Sequence, residues 1–145
     1  AFLCAVLGET ALHPYADPLS SINIHYAPEG KELGWHFDNS EFAITLLLQK
    51  PSGGGGYEYI QDLRDAKRGE MNFDGVEAAL DGRLEPTRLD IQPGTLVLFR
   101  GRNALHRVTP TQGDITRNWV VLAYNGEPGV ALSENARKTF YGRVS

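Results

Sequence analysis

Four side chains in this sequence could together hold a metal ion and an anion, and they lie in well-separated stretches. In LGWHFDNSEF, residues 33–42, His36 and Asp38 stand two positions apart, just ahead of the apolar run FAITLLLQ. If a strand begins near Trp35, its side chains alternate, so His36 and Asp38 look out from one face and Trp35 and Phe37 from the other. A second histidine, His106, follows the strand-like PGTLVLF and a glycine-containing turn. Two imidazoles and one carboxylate on one side of a divalent ion leave its remaining coordination positions open. Arg117 comes eleven positions after His106, immediately before NWVVLAY. An arginine at the mouth of a buried strand can grip a carboxylate through two parallel N–H bonds. Each residue alone is an ordinary strand-end side chain; the combination points to chemistry.

Distant strands must bring these groups together. The chain has 145 residues, 41% hydrophobic and 22% charged, enough for one globular domain over 1–145 with a real core. Its 16 glycines and 8 prolines punctuate short segments and favour β structure over a helical bundle. Strands are expected at 22–26, 34–37, 42–49, 57–60, 87–91, 95–99, 105–109 and 118–124, with turns at QPGT, GRNA and TQGD. A charged interruption at 61–86 carries one short helix, NFDGVEAAL, capped at Asn72 and ended by Gly82. The opening AFLCAVLG reads as a helix tail, to about Leu12, left from something longer; it is too short for a membrane span and lacks a signal peptide's basic flank. About eight short strands with one helical insertion and a helical N-terminal remnant predict a mainly β, cupin-like jelly roll, a double-stranded β-helix whose interior can hold a ligand. An immunoglobulin-like sandwich lacks its Cys–Trp–Cys framework here.

Net charge is −4, and no Lys/Arg cluster stands out, so neither nucleic acid nor an anionic membrane is expected as a partner. The single cysteine, Cys4, excludes an internal disulfide and suits a reducing cytoplasm. Within a jelly roll, His36, Asp38 and His106 would form the facial triad of a non-haem Fe(II) oxygenase.

From about Ile22 to its end the sequence resembles the Fe(II)/2-oxoglutarate-dependent oxygenases, whose pattern is H-x-D, a distal His, and a basic residue about ten positions later. SGGGGYEYI and PGTLVLFRGRNALHRVTP resemble the family's Gly-Gly-x-aromatic segment and the strands carrying its distal His. LHPYADP, TLLLQ, YEYIQDLRD, NFDGV and FYGR are closer still to a subgroup of radical halogenases and hydroxylases of free amino acids. The resemblance implies His36, Asp38 and His106 as ligands of Fe(II), Arg117 as the clamp on 2-oxoglutarate with Tyr26 assisting, and O2 as the other co-substrate. It also implies the hydroxylase branch: the halogenases have Gly in place of the H-x-D carboxylate, and this chain has Asp38. The subgroup carries a longer N-terminal helical region, short or missing here. Succinate and CO2 would be released as a free amino acid or similar small polar substrate is hydroxylated. Trp119, sharing a face with Arg117, either lines the pocket or packs in the core; Asn39 either reaches the substrate or serves an ordinary turn. A protein or peptidyl-prolyl hydroxylase of the same fold and a non-catalytic cupin-like metal-binding module are the alternatives. A zinc hydrolase would leave Arg117 unexplained.

Overall fold

The computed structural model describes residues 1–144. In chain order the elements are α1 (Phe2–Leu7), β1 (His13–Pro14), β2 (Ile22–Ala27), β3 (Leu33–His36), β4 (Phe42–Gln49), β5 (Gly53–Gly54) and β6 (Tyr57–Ile60). They continue with α2 (Phe73–Leu80), β7 (Thr87–Leu89), β8 (Leu96–Phe99), β9 (Leu105–Val108), β10 (Thr111–Gln112), β11 (Arg117–Asn125) and α3 (Glu134–Tyr141). The larger sheet is antiparallel: β4 lies on one side of β11 with β8 beyond it, and β1 and β2 lie end to end along the other side. The smaller sheet has the order β3-β9-β6-β7, and β5 pairs with β10. The fold is a jelly roll.

Three apolar clusters hold it. Trp35 and Phe37 turn to the outside of the smaller sheet and pack with Leu63, Ala79 and Leu105, so α2 covers that sheet. Trp119, Leu47 and Ala27 form a second cluster inside the larger sheet. Tyr15, Ala123 and Leu132 form a third, against which Ala136 and Tyr141 of α3 lean. Phe42 and Ile44 on β4 are each 1% exposed, and complete burial of such side chains stabilises by ~1.5–3 kcal/mol apiece. Arg100 ties α1 to this strand: it donates to the Leu7 carbonyl at 2.7 Å and sits 5.3 Å from the Phe42 ring.

The helix expected at NFDGVEAAL is α2, with Asn72 accepting from the Gly75 amide at 3.2 Å. Several expectations need correction. The opening helix stops at Leu7, because Gly8 adopts the left-handed conformation (φ 75°), and the turn at HPYADP contains the short strand β1. Helix α3 was not expected: its eight residues expose charge on most sides, and its signals are the Ser133 cap and Gly142 in the left-handed conformation. Among the described residues no helix is long and apolar enough to cross a membrane.

Candidate metal centre

One extra residue in β3 aims the first histidine. Leu33 pairs with Val108 and His36 with His106, so three steps along β3 match two along β9. This bulge sets His36 directly opposite His106, their ring centroids 4.1 Å apart. It also brings the Gly34 carbonyl to the His36 Nδ1, at 2.7 Å. His106 Nδ1 meets the Ala104 carbonyl in the same way, at 2.9 Å. With a carbonyl accepting from each Nδ1–H, both Nε2 atoms carry free lone pairs, which is the tautomer a metal needs.

Asp38 completes the group. It lies two residues beyond the end of β3, and its Oδ1 is 3.7 Å from His36 Nε2 and 3.5 Å from His106 Nε2. The ligand-capable atoms of all three residues lie within 4.8 Å of one another. Its backbone amide donates to the Gly101 carbonyl at 3.0 Å, so the loop after β8 fixes its position. A Cβ on Gly101 would collide with the Asp38 carboxylate; that glycine is the space the carboxylate occupies. Asp38 Oδ2 is buried without a partner, an orphaned acceptor of the kind a cation satisfies. Burial and then the neighbouring His106 hold the His36 pKa below its ordinary value, so the imidazole stays neutral. The donor set and its geometry fit a divalent metal such as Fe(II).

Behind the metal ligands lies a cation without a counterion. Arg117 opens β11, is 3% exposed, and forms no ion pair among the described residues. Its Nη1 is buried and unpartnered. The guanidinium lies 4.0 Å from the Trp119 ring, and His25 stacks on that ring at 4.8 Å. Burial pushes the Arg117 pKa down to about 10, which leaves it a cation at neutral pH. An isolated buried charge is costly, by several kcal/mol in order of magnitude, so the arrangement is that of a receptor for an anion. A Cβ on Gly55 would come within 2.9 Å of the Arg117 side chain, and this accounts for one glycine of the run at 53–56.

A cavity of about 160 Å³ joins the two features and is lined by His36, Asp38, Asn39, His106, Arg117 and Trp119, among others. Six of the seven residues singled out in the sequence therefore meet in one place. Trp119 serves both readings at once, lining the cavity and anchoring a core cluster. Asn39 is at the exposed rim, its carbonyl accepting from Arg102 at 2.7 Å. Tyr26 is not brought there. In β2 the outward residues are Ile22, Ile24 and Tyr26, the last 68% exposed, while Asn23 and His25 face the cavity.

The tyrosine in the cavity is Tyr57, which the sequence reading passed over. Its ring stacks on His106 at 5.7 Å and meets Phe99 edge-on at 5.3 Å. Burial, and next the charge of Asp38, drive its pKa well above the ordinary value, so the phenol remains a hydrogen-bond donor. Its position directly after four glycines was the available signal, since such a run lets a backbone approach a site closely.

A family model described as halogenase D matches residues 1–140. Among solved structures, a crystal structure of an oxidoreductase of the 2OG-Fe(II) oxygenase family from Burkholderia pseudomallei superposes with a TM-score of 0.64 at 16% identity. The alignment covers 89% of this chain and 51% of that one, so the present chain spans about half the length of that protein. Among curated proteins none matches.

Proposed function

Because the chain belongs to the halogenase D family, within the 2-oxoglutarate/Fe(II) oxygenase superfamily, we propose that it is an Fe(II)- and 2-oxoglutarate-dependent hydroxylase of a free amino acid or similar small molecule. His36 Nε2, His106 Nε2 and the Asp38 carboxylate would hold Fe(II). The observation that carries the co-substrate is the buried, unpaired Arg117, whose orphaned Nη1 would donate to the far carboxylate of 2-oxoglutarate. Tyr57, kept protonated and close enough to feel both Asp38 and Arg117, takes the assisting role first expected of Tyr26. When bound, the metal and co-substrate supply an oxidation in which 2-oxoglutarate and O2 become succinate and CO2 and one oxygen atom enters a substrate C–H bond. The protein's part is to fix both reactants in a water-poor cavity, with Phe99 and Tyr57 packed against the His106 ring to hold it in place.

Asp38 distinguishes hydroxylation from halogenation. Its carboxylate fills one face of the metal site and places negative charge where a halide ligand would have to bind. The 145 residues are then the jelly-roll core of an oxygenase, and the free thiol of Cys4 suits a cytoplasmic setting.

Anaerobic addition of Fe(II) and 2-oxoglutarate should develop the weak visible charge-transfer band of the chelated complex; its absence would sink the assignment. On an accepted substrate, mass spectrometry should find hydroxylated and never chlorinated product, with or without chloride. Asp38→Gly should bind Fe(II) more weakly and lose most hydroxylation, and full activity in that variant would remove Asp38 from the ligand set.

A further inference from the structure

We infer that Arg102 is a positioning residue for the metal carboxylate: it holds the backbone beside Asp38 and so decides where that carboxylate stands. This rests on the metal-site reading above and deepens it. His36 and His106 are fixed by the pairing of β3 with β9, whereas Asp38 lies in residues 37–41, which belong to no strand. Something other than a ladder must place it.

The loop after β8 does so with two consecutive residues. The Gly101 carbonyl accepts from the Asp38 amide at 3.0 Å, and the Arg102 guanidinium donates to the Asn39 carbonyl at 2.7 Å. These two bonds bracket the Asp38–Asn39 backbone, and both move if the loop moves. The same Arg102 nitrogen comes within 3.5 Å of the Asn125 side-chain oxygen, which also accepts from the Glu41 amide at 3.1 Å. The segment is thus held at residues 38, 39 and 41 before β4 begins at Phe42.

The loop is itself anchored from the charged insertion between β6 and β7. Arg64 donates through Nε to the Arg102 carbonyl at 2.8 Å, and its guanidinium lies 3.8 Å from the Phe37 ring. The Ala66 amide donates to the Asn103 side chain at 3.1 Å. The other two arginines of FRGRNALHR serve elsewhere: Arg100 donates to the Leu7 carbonyl, and Arg107 pairs with Glu58 at 2.7 Å. Arg102 forms no ion pair among the described residues, and both its acceptors are neutral. A hydrogen bond from an ionised donor is stronger than a neutral one, and here it is directed at the backbone next to a ligand.

Co(II) titrations of the metal-free protein test this, with Arg102→Met, Arg102→Lys and Arg100→Met beside wild type. Arg102→Met keeps an unbranched apolar stem and removes the donors. Its Co(II) affinity should fall roughly 10–100-fold, the usual effect of losing a ligand's support. The visible absorption of the bound Co(II), which reports the arrangement of its ligands, should change as well. Arg102→Lys keeps a charged donor and should recover most of the affinity. Arg100→Met loses a bond of the same length, 2.7 Å, from the same loop but none to residues 37–41, and should bind Co(II) as wild type does. Melts by circular dichroism read stability separately. Wild-type affinity and absorption in Arg102→Met would overturn the inference. So would an equal loss of affinity in Arg100→Met, which would make the effect one of general destabilisation. If Arg102→Met does not fold, Arg102→Gln, too short to reach the Asn39 carbonyl, takes its place with the same expectations. A wild type that binds no Co(II) would instead sink the metal-site reading, and this inference with it.

Discussion

A carboxylate can be a good ligand only if its neighbours leave it room and do not satisfy it first. Asp38 meets both conditions: Oδ2 has no protein partner, and Gly101 offers no Cβ against it. Gly101→Ala should therefore displace the carboxylate and weaken Fe(II) or Co(II) binding by roughly 10–100-fold, the usual effect of disturbing a ligand's support. Circular dichroism should show the fold retained, and metal affinity equal to wild type would mean that the loop yields without cost. Arg117 presents the converse case, a group poised for function at the expense of stability. Arg117→Met keeps bulk and removes a buried unpaired cation, a change worth ~1–4 kcal/mol in favour of the folded state. Its stacking on Trp119 offsets up to ~2 kcal/mol of that gain. The ligand-free variant should melt above wild type while its apparent 2-oxoglutarate affinity falls at least tenfold, since a charge-assisted hydrogen bond is typically worth ~1.5–3 kcal/mol. Thermal melts and co-substrate titration read the two effects separately. A lower melting temperature would mean that Arg117 is satisfied within the protein.

Strand β2 inverts the usual pattern, and that inversion explains what the sequence disclosed and what it hid. Its alternation was plain in INIHY, and the ordinary rule of apolar residues inside would have turned Ile22, Ile24 and Tyr26 inward. They face outward instead, because the interior between these sheets is a partly polar cavity at this level and takes Asn23 and His25. Periodicity gives the two faces of a strand but not which one is inside, so it does not disclose that Tyr26 lies outside the cavity while Tyr57 lines it. By contrast His36, Asp38, His106 and Arg117 were legible because their residue types suit one chemistry and sit at strand ends, whichever sheet face is buried. Helix α3 was illegible for another reason: it is short and polar, and it owes its place to Ala136 and Tyr141 resting on Tyr15, Ala123 and Leu132. The two tyrosines give a paired prediction. Tyr57→Phe removes one donor from the cavity and should raise the 2-oxoglutarate KM several-fold, about the worth of one hydrogen bond. Tyr26→Phe should leave that KM unchanged. A KM that responds to Tyr26→Phe and ignores Tyr57→Phe would reverse the correction.

The whole molecule stores its site as a set of unsatisfied groups, and this should be visible in how stability follows pH. His25 is held neutral, first by burial and then by the charge of Arg117, with a pKa below the ordinary 6.5. His36 is shifted the same way by burial and by His106. For both, the unfolded chain takes up a proton near pH 6.5 while the folded chain resists it, so unfolding gains protons as the pH falls through that value. The corresponding stability is complete above the unfolded pKa and erodes below it until the folded pKa is passed. The carboxylates of Asp17 and Glu41 are shifted below their ordinary values of 3.8 and 4.5, and their loss comes in a lower, separate window. Metal-free protein should accordingly lose melting temperature between about pH 7.5 and about pH 5.5, before any carboxylate contributes. His25→Gln, which cannot take up a proton, should flatten part of that decline while leaving the carboxylate window as it was. Saturating metal should suppress the His36 share, because a ligand that binds only the folded state opposes unfolding and competes with the proton for Nε2. Melts by circular dichroism across this range, with and without Co(II), test all three statements. A melting temperature that holds level or rises on acidification would mean that His25 finds a proton acceptor inside the fold, and the cavity wall around Arg117 would have to be redrawn.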